Sequence, residues 1–218
     1  MAKGKKVLSK IKKRIKSFFK TKRGRKRIIF LTLVGGVLIY LFWGLPLPTN
    51  LDSEQYPVST KIFDRNGKLI YEIYADKRRS PVDLEELPDY IKNSTIAIED
   101  QDFYKHYGFS VTGIIRAAYK TVFRQKLEGG STLTQQLVKN ALLTPERTVR
   151  RKIREFTLSM VVETLYTKDQ ILEMYLNQIP YGGTAYGIEA ASEHYFGKPA
   201  KELTLGEAAL LAGLPAAP

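Results

Sequence analysis

The feature that most limits what this chain can become is a run of eighteen uncharged residues, IIFLTLVGGVLIYLFWGL over positions 28–45, directly behind a tail of one sign. As a helix rising 1.5 Å per residue it reaches about 27 Å, close to a bilayer core of roughly 30 Å. Tyr40 and Trp43 suit an interface at one end, and Pro46 and Pro48 stop the helix. Residues 1–27 carry fourteen Lys or Arg and no acid. That asymmetry holds the tail in the cytoplasm and sends everything after residue 48 outside. A cleaved signal peptide would have a shorter apolar region followed by small residues, which Phe42-Trp43-Gly44-Leu45-Pro46 does not offer. The expectation is a single-pass signal anchor over 28–45. Val7, Leu8, Ile11, Ile15, Phe18 and Phe19 recur at helical spacing among the lysines, which suits a helix lying on an anionic leaflet and equally a solvated basic tail.

The formal charge of +13 belongs to that tail alone, because the rest of the chain holds 21 basic residues against all 22 acidic ones. A nucleic-acid-binding domain would carry a basic face of its own, so no nucleic acid is expected as a partner. With 218 residues there is room for one sizeable domain plus the anchor. The absence of cysteine removes disulfides and thiolate metal sites.

Residues 46–57 form a Pro-containing linker, and the two β-prone runs of TKIFDRNGKLIYEIY around Asn66-Gly67 predict a hairpin. Everything later reads as helix. Pro88 to Ile98 leads into Glu99-Asp100. Ser110 caps a helix with an apolar stripe of Val111, Ile114, Ile115, Ala118, Tyr119 and Val122. Gly129-Gly130-Ser131-Thr132 opens a helix carrying Leu133, Leu137 and Val138. Thr144-Pro145 starts a long helix whose buried face is Val149, Ile153, Phe156, Met160, Val161 and Leu165. Thr167 with Gln170 and Thr204 with Glu207 read as capping boxes, and Gly197 ends the helix between them.

Three features carry chemistry. Glu99-Asp100 sits at an exposed junction, where an acidic pair serves either catalysis or a cap. A helix opened by Gly-Gly-Ser-Thr points backbone N–H groups at one spot, as phosphate-binding helices do, although the same letters also make ordinary loops. Arg147, Arg151 and Glu155 are spaced to share one helix face, as a salt-bridge ladder or as a binding surface. His106 and His194 have no metal-ligand spacing and read as structural. Together a carboxylate, a phosphate-type helix start and an arginine face suggest sugar transfer from a phosphorylated donor.

At these residues the sequence resembles the peptidoglycan glycosyltransferase family, found in monofunctional transglycosylases and in the front half of class A penicillin-binding proteins. Five motifs match in order. Glu99 to His106 is similar to E-D-x-x-F-x-x-H, and GGSTLTQQLVKN over 129–140 to the second motif. Arg151 to Glu155 resembles R-K-x-x-E. Lys168 to Asn177, on to Gly182, resembles K-x-x-I-L-E-x-Y-L-N with its trailing glycine, and Gly183 to Lys198 the fifth motif.

The resemblance implies a mainly α, lysozyme-like domain over 85–218 behind a linker and β-hairpin over 46–84, the 28–45 anchor and the 1–27 tail. It implies polymerisation of lipid II onto a growing lipid-linked glycan strand at the bacterial cytoplasmic membrane, among other cell-wall synthesis proteins. Glu99 and Glu155 are the implied catalytic residues, Glu99 as general base. Lys139 and Arg147 match positions around the lipid diphosphate, with Glu155 orienting them or helping to hold a divalent cation (Mg2+ or Mn2+). Ser131, Thr132, Gln135, Gln136 and Arg151 complete the expected binding set. Relatives of this kind continue past the position of Ala216-Ala217-Pro218, so the expectation is of a domain truncated at its C-terminus with no transpeptidase part. A lytic muramidase could share the fold and the carboxylates, but a neutral glycan has no diphosphate for lysine and arginine to neutralise.

Overall fold

The computed structural model describes residues 21–51, 59–67, 69–73, 78–113, 115–116, 119 and 130–215. The amphipathic reading of the tail, and Ile114, Ala118 and Val122 of the Ser110 stripe, lie outside them. The described residues are mainly helical, and the chain divides into two units, Met1–Leu45 and Pro46–Pro218.

In the first unit the apolar run forms helix α1, Lys22–Phe42. It departs from the expected 28–45 segment at both ends. It takes in the basic residues before Ile28, and it stops at Phe42, where Gly44 turns into the left-handed region at φ 70° ahead of Pro46. The uncharged part, residues 28–42, reaches about 22 Å at helical rise. No helix among the described residues is long and apolar enough to cross a membrane. Ile29, Phe30, Leu31, Leu33, Val37, Leu38, Ile39 and Tyr40 are nevertheless exposed along it.

In the second unit a helical turn at Pro48–Asn50 precedes the expected hairpin, β1 (Thr60–Phe63) antiparallel to β2 (Leu69–Ile73). The Asp64 carbonyl accepts Gly67 N–H at 3.1 Å, Asp64 Oδ1 accepts Asn66 N–H at 2.8 Å, and Gly67 supplies φ 80°.

Helix α2 (Asp89–Glu99) packs on α7 (Leu205–Gly213). Helix α3 (Leu133–Leu142) is the centre of the unit, held between α4 (Val149–Leu165) and α5 (Lys168–Gln178). Leu133, Leu137 and Val138 of α3, Leu158 and Val162 of α4, and Ile171, Leu172 and Tyr175 of α5 are all buried. Helix α6 (Ile188–Phe196) completes the set, ended by Gly197 at φ 68°. Both expected capping boxes are present, and a third joins Thr132 to Gln135. A two-residue parallel pair, β3 (Arg78–Arg79) with β4 (Ala185–Tyr186), was not anticipated. Asn177 fastens the adjoining segment, accepting Val82 N–H at 2.9 Å and donating to its carbonyl at 2.8 Å.

Two expectations for α4 are corrected. The helix starts after Thr148, whose hydroxyl accepts Arg151 N–H at 3.1 Å, and not at Thr144-Pro145. Leu143 and Thr148 are both extended, because the chain needs this connection to reverse between two packed helices. Arg147 therefore lies in the connection, off the helix face it was assigned to. The buried face is also a different one. Val149 is 79% exposed, and Ile153, Phe156, Met160, Val161 and Leu165 are exposed with it, while Glu155, Leu158, Ser159 and Val162 are buried against the unit. A small residue is required there: a Cβ on Gly108 would come within 2.8 Å of the Ser159 carbonyl, so loop and helix meet backbone to backbone. Of the Ser110 stripe, Val111, Ile115 and Tyr119 are exposed too, and Phe109 rests on Phe156 with ring centroids 4.9 Å apart.

Candidate active site

The acidic pair is split by the end of α2. Asp100, the C-cap, turns inward: its Oδ2 accepts Leu133 N–H at 3.1 Å, and His106 Nε2 lies 3.0 and 2.9 Å from its two oxygens. Glu99 turns the other way and its Oε2 accepts Gln136 Nε2 at 2.5 Å. Its Oε1 is buried and has no hydrogen-bond partner among the described residues.

The opening of α3 is closed by the protein itself. Thr132 N–H goes to Gln135 Oε1, Gln135 N–H to Thr132 Oγ1, and Leu133 N–H to Asp100, while Thr132 Oγ1 donates to the Gly108 carbonyl at 2.8 Å. A carboxylate from the neighbouring motif thus occupies a helix start whose letters suited either a phosphate or an ordinary loop. Thr132 and Gln135 are both buried in this joint; Ser131 and Gln136 are half-buried at its edge.

One turn further along α3, Lys139 lines a cavity of about 530 Å³ together with Asn140, Arg147, Arg151, Pro180 and Tyr186. Three cations from α3, the α3–α4 connection and α4 thereby share one opening. Beneath it Glu155 is buried, with Arg151 Nη1 at 3.5 Å from one oxygen and Lys152 bonded to the other. Lys152 Nζ also donates to Ser131 Oγ at 3.0 Å, which ties the second and third motifs together. Both oxygens of Glu155 already face cations, and no three His, Asp or Glu side chains among the described residues group as a metal cage. A divalent ion at Glu155 would have to displace Arg151 or Lys152.

Burial raises the proton affinity of Glu99 above the ordinary carboxylate value. The Gln136 hydrogen bond and the Lys139 charge oppose that rise, and Asp100 adds to it. Two phenols not singled out in the sequence stand beside it. Tyr175 and Tyr181 are wholly buried, and burial followed by the Glu99 charge pushes both hydroxyls up. Tyr175 Oη donates to Gln136 Oε1 at 3.4 Å. The Tyr181 backbone is held by Tyr195, whose hydroxyl donates to its carbonyl at 2.9 Å. Tyr175 stands inside the K-x-x-I-L-E-x-Y-L-N match, where a tyrosine among leucines reads as core. Its place beside the carboxylate follows only from how α5 crosses α3.

The transglycosylase family pattern matches residues 66–218. Penicillin-binding protein 1A of Rickettsia bellii is 43% identical over 202 residues, 88% of this chain and 25% of that protein. Penicillin-binding protein 1A of Escherichia coli is 45% identical over 184 residues, 84% of this chain and 22% of that protein. Penicillin-binding protein 1F of Bacillus subtilis is 45% identical over 161 residues, 73% of this chain and 22% of that protein. The chain spans about a quarter of the length of these relatives.

Proposed function

The chain belongs to the transglycosylase family, and on that premise we propose that it polymerises peptidoglycan strands from lipid II by inverting glycosyl transfer, releasing undecaprenyl diphosphate. The observation that carries this reading is Oε1 of Glu99, without a hydrogen-bond partner among the described residues, on a half-buried carboxylate of raised proton affinity that Gln136 joins to the helix bearing Lys139 of the three-cation cavity.

Glu99 Oε1 takes the proton of the acceptor sugar's 4-hydroxyl as that oxygen bonds to the donor's anomeric carbon. The bond from that carbon to the diphosphate oxygen breaks, and its electron pair leaves with the lipid diphosphate. A base works best when its pKa approaches the working pH, and burial moves Glu99 in that direction. A diphosphate is stable as an anion, so the departing group needs charge stabilisation more than a proton. Lys139, Arg147 and Arg151 supply it from the cavity wall. Glu155, with Lys152, orients Arg151 and positions the wall. An α-linked donor giving a β-linked polymer is one displacement with no covalent sugar–enzyme intermediate.

The unit is read as a lysozyme-like domain working on the outer surface of the bacterial cytoplasmic membrane, beside other cell-wall enzymes and joined to the bilayer by α1. The apolar side chains exposed along α1, and those exposed on α4 and at Val111, Ile115 and Tyr119, support that location, because apolar patches of this kind seek lipid or a partner. The test is incubation of the full chain with labelled lipid II followed by sizing of the product. Glycan polymer is expected; absence of polymer, with cleavage of preformed uncrosslinked strands, would replace this reading with a muramidase.

A further inference from the structure

Glu99 has two oxygens, and the structure treats them differently. Oε2 is held by the Gln136 amide at 2.5 Å, and Oε1 is buried with no hydrogen-bond partner among the described residues. A primary amide presents either an N–H donor or a carbonyl to a neighbour, and beside a carboxylate the two orientations have opposite electrostatic sign. The Glu99 carboxylate, which can only accept, itself draws the amide nitrogen toward it, and a donor on the amide oxygen would reinforce that orientation. Tyr175 is such a donor: its hydroxyl donates to Gln136 Oε1 at 3.4 Å and so supports the amide oxygen on the far side. Tyr175 is itself wholly buried on α5, so the hydroxyl has little freedom to turn elsewhere.

We propose that Tyr175 is a positioning residue for the transfer reaction: through Gln136 it reserves Oε1 of Glu99 as the oxygen that accepts the proton. This rests on the reading of Glu99 as the general base. The relay crosses three elements, α5 to α3 to the end of α2, so it also reports whether the helices are in working register. The groups that bear on Glu99 are Gln136 and Lys139 from α3, Asp100 beside it in sequence, Tyr175 from α5 and Tyr181 from the loop that follows. Among them the Gln136 hydrogen bond is the largest influence favouring the anion, and only this one depends on Tyr175.

The test is the pH profile of lipid II polymerisation by wild type and Tyr175→Phe in the full chain. Without the hydroxyl the amide is held from the Glu99 side only, its support of the Glu99 anion weakens, and the acid limb of kcat moves to higher pH. Turnover at neutral pH is expected to fall about threefold with KM for lipid II unchanged, the size of one lost hydrogen bond between neutral groups. In a Gln136→Met background the same tyrosine change is expected to add nothing. A purely structural tyrosine would lower the melting temperature, leave the acid limb in place and add its loss independently of Gln136; either of the last two results overturns the relay. If Tyr175→Phe does not fold, Gln136→Met alone decides, because an unshifted acid limb in that variant removes the amide from any role in holding Glu99. Failure of wild type to polymerise lipid II would instead remove the underlying reading of Glu99.

Discussion

Asp100 Oδ2 accepts the backbone N–H of Leu133 at 3.1 Å, joining the end of α2 to the first turn of α3. Leu133 and Gln136 are one turn apart on α3, so this bond sets where Gln136 meets Glu99. Of two adjacent acids, one fixes the frame and the other is left to react. A carboxylate at a helix N-terminus is favoured by the helix dipole as well as by the hydrogen bond. Asp100→Ala would leave Leu133 N–H and His106 Nε2 without this partner in a buried joint. A loss of about 1–3 kcal/mol is expected in denaturant unfolding. Asp100→Asn keeps one acceptor and should lose less; equal losses in the two variants would show that the Leu133 bond contributes nothing.

Glu99→Gln should remove polymerisation by about 10² to 10⁴-fold, because an amide cannot accept the acceptor's proton. The same change should stabilise the fold at neutral pH. Burial raises the folded-state pKa of Glu99 above its ordinary 4.5, so the folded protein holds the proton more tightly than the unfolded chain does. Stability contributed by the protonated form is full below pH 4.5 and is lost as pH rises through the folded value. A glutamine should therefore gain over wild type at pH 7 and lose that gain in acid. Thermal unfolding of both proteins across this range checks it, and a constant difference between them would contradict the burial argument.

Lys168 and Glu163 pair at 2.7 Å across the α4–α5 corner; Thr134 Oγ1 donates to the same carboxylate at 2.5 Å, and the Lys168 ammonium sits 4.4 Å from the centre of the Phe103 ring. The lysine that opens the fourth motif is thus part of the frame. Lys168→Met would leave a nearly buried carboxylate without its cation, at about 3 kcal/mol. Adding Glu163→Gln should recover part of that loss. Urea unfolding of the single and double variants measures both, and no recovery in the double would show that the loss is packing alone.

What could be read without coordinates were the features written in local chemistry. The Thr167 and Thr204 boxes, the Gly197 stop and the hairpin around Gly67 each need only a few neighbouring residues, and each is present. What could not be read was which face of α4 is covered. Period 3.6 groups Val149, Ile153, Phe156 and Met160 on one side, and the habit of placing apolar residues inside then assigns that side to the core. In the fold, Leu158, Ser159 and Val162 form the buried side of α4, and the richer apolar side faces out. The start of α4 was misplaced for a related reason: Thr144 and Thr148 are both sound caps locally, and the reversal from α3 to α4 decides between them. The β3–β4 pair is two residues long and has no period to detect. Tyr175 and Tyr181 stand beside Glu99 through tertiary placement alone.

If the exposed side of α4 lies against lipid, a reporter placed there should enter an apolar medium when the chain is reconstituted. The chain has no cysteine, so single cysteines can be labelled cleanly. An environment-sensitive fluorophore at Val149→Cys or Met160→Cys should shift to the blue on vesicles, while one at the exposed Lys201→Cys should not. Equal spectra at all three positions would leave the apolar side for some other partner.

The last prediction separates transfer to a diphosphate donor from hydrolysis of a neutral glycan. Lys139 and Arg147 line the same cavity from different elements, one on α3 and one in the connection before α4. Each alanine replacement removes charge-assisted hydrogen bonds to phosphate, at roughly 1.5–3 kcal/mol each, or about ten- to a hundredfold in rate. Arg147→Lys should rescue only partly, because an ammonium cannot reproduce the two-pronged grip of a guanidinium. Neither change should unfold the protein, since both side chains are exposed. Wild type and both alanine variants are given lipid II in one tube and preformed uncrosslinked strands in another. Polymer from wild type, sharply reduced in both variants and restored in part by lysine at 147, assigns the cavity to the diphosphate. Unchanged polymerisation in the variants would detach the cavity from the reaction, and leave Glu99 to act with charges drawn from elsewhere.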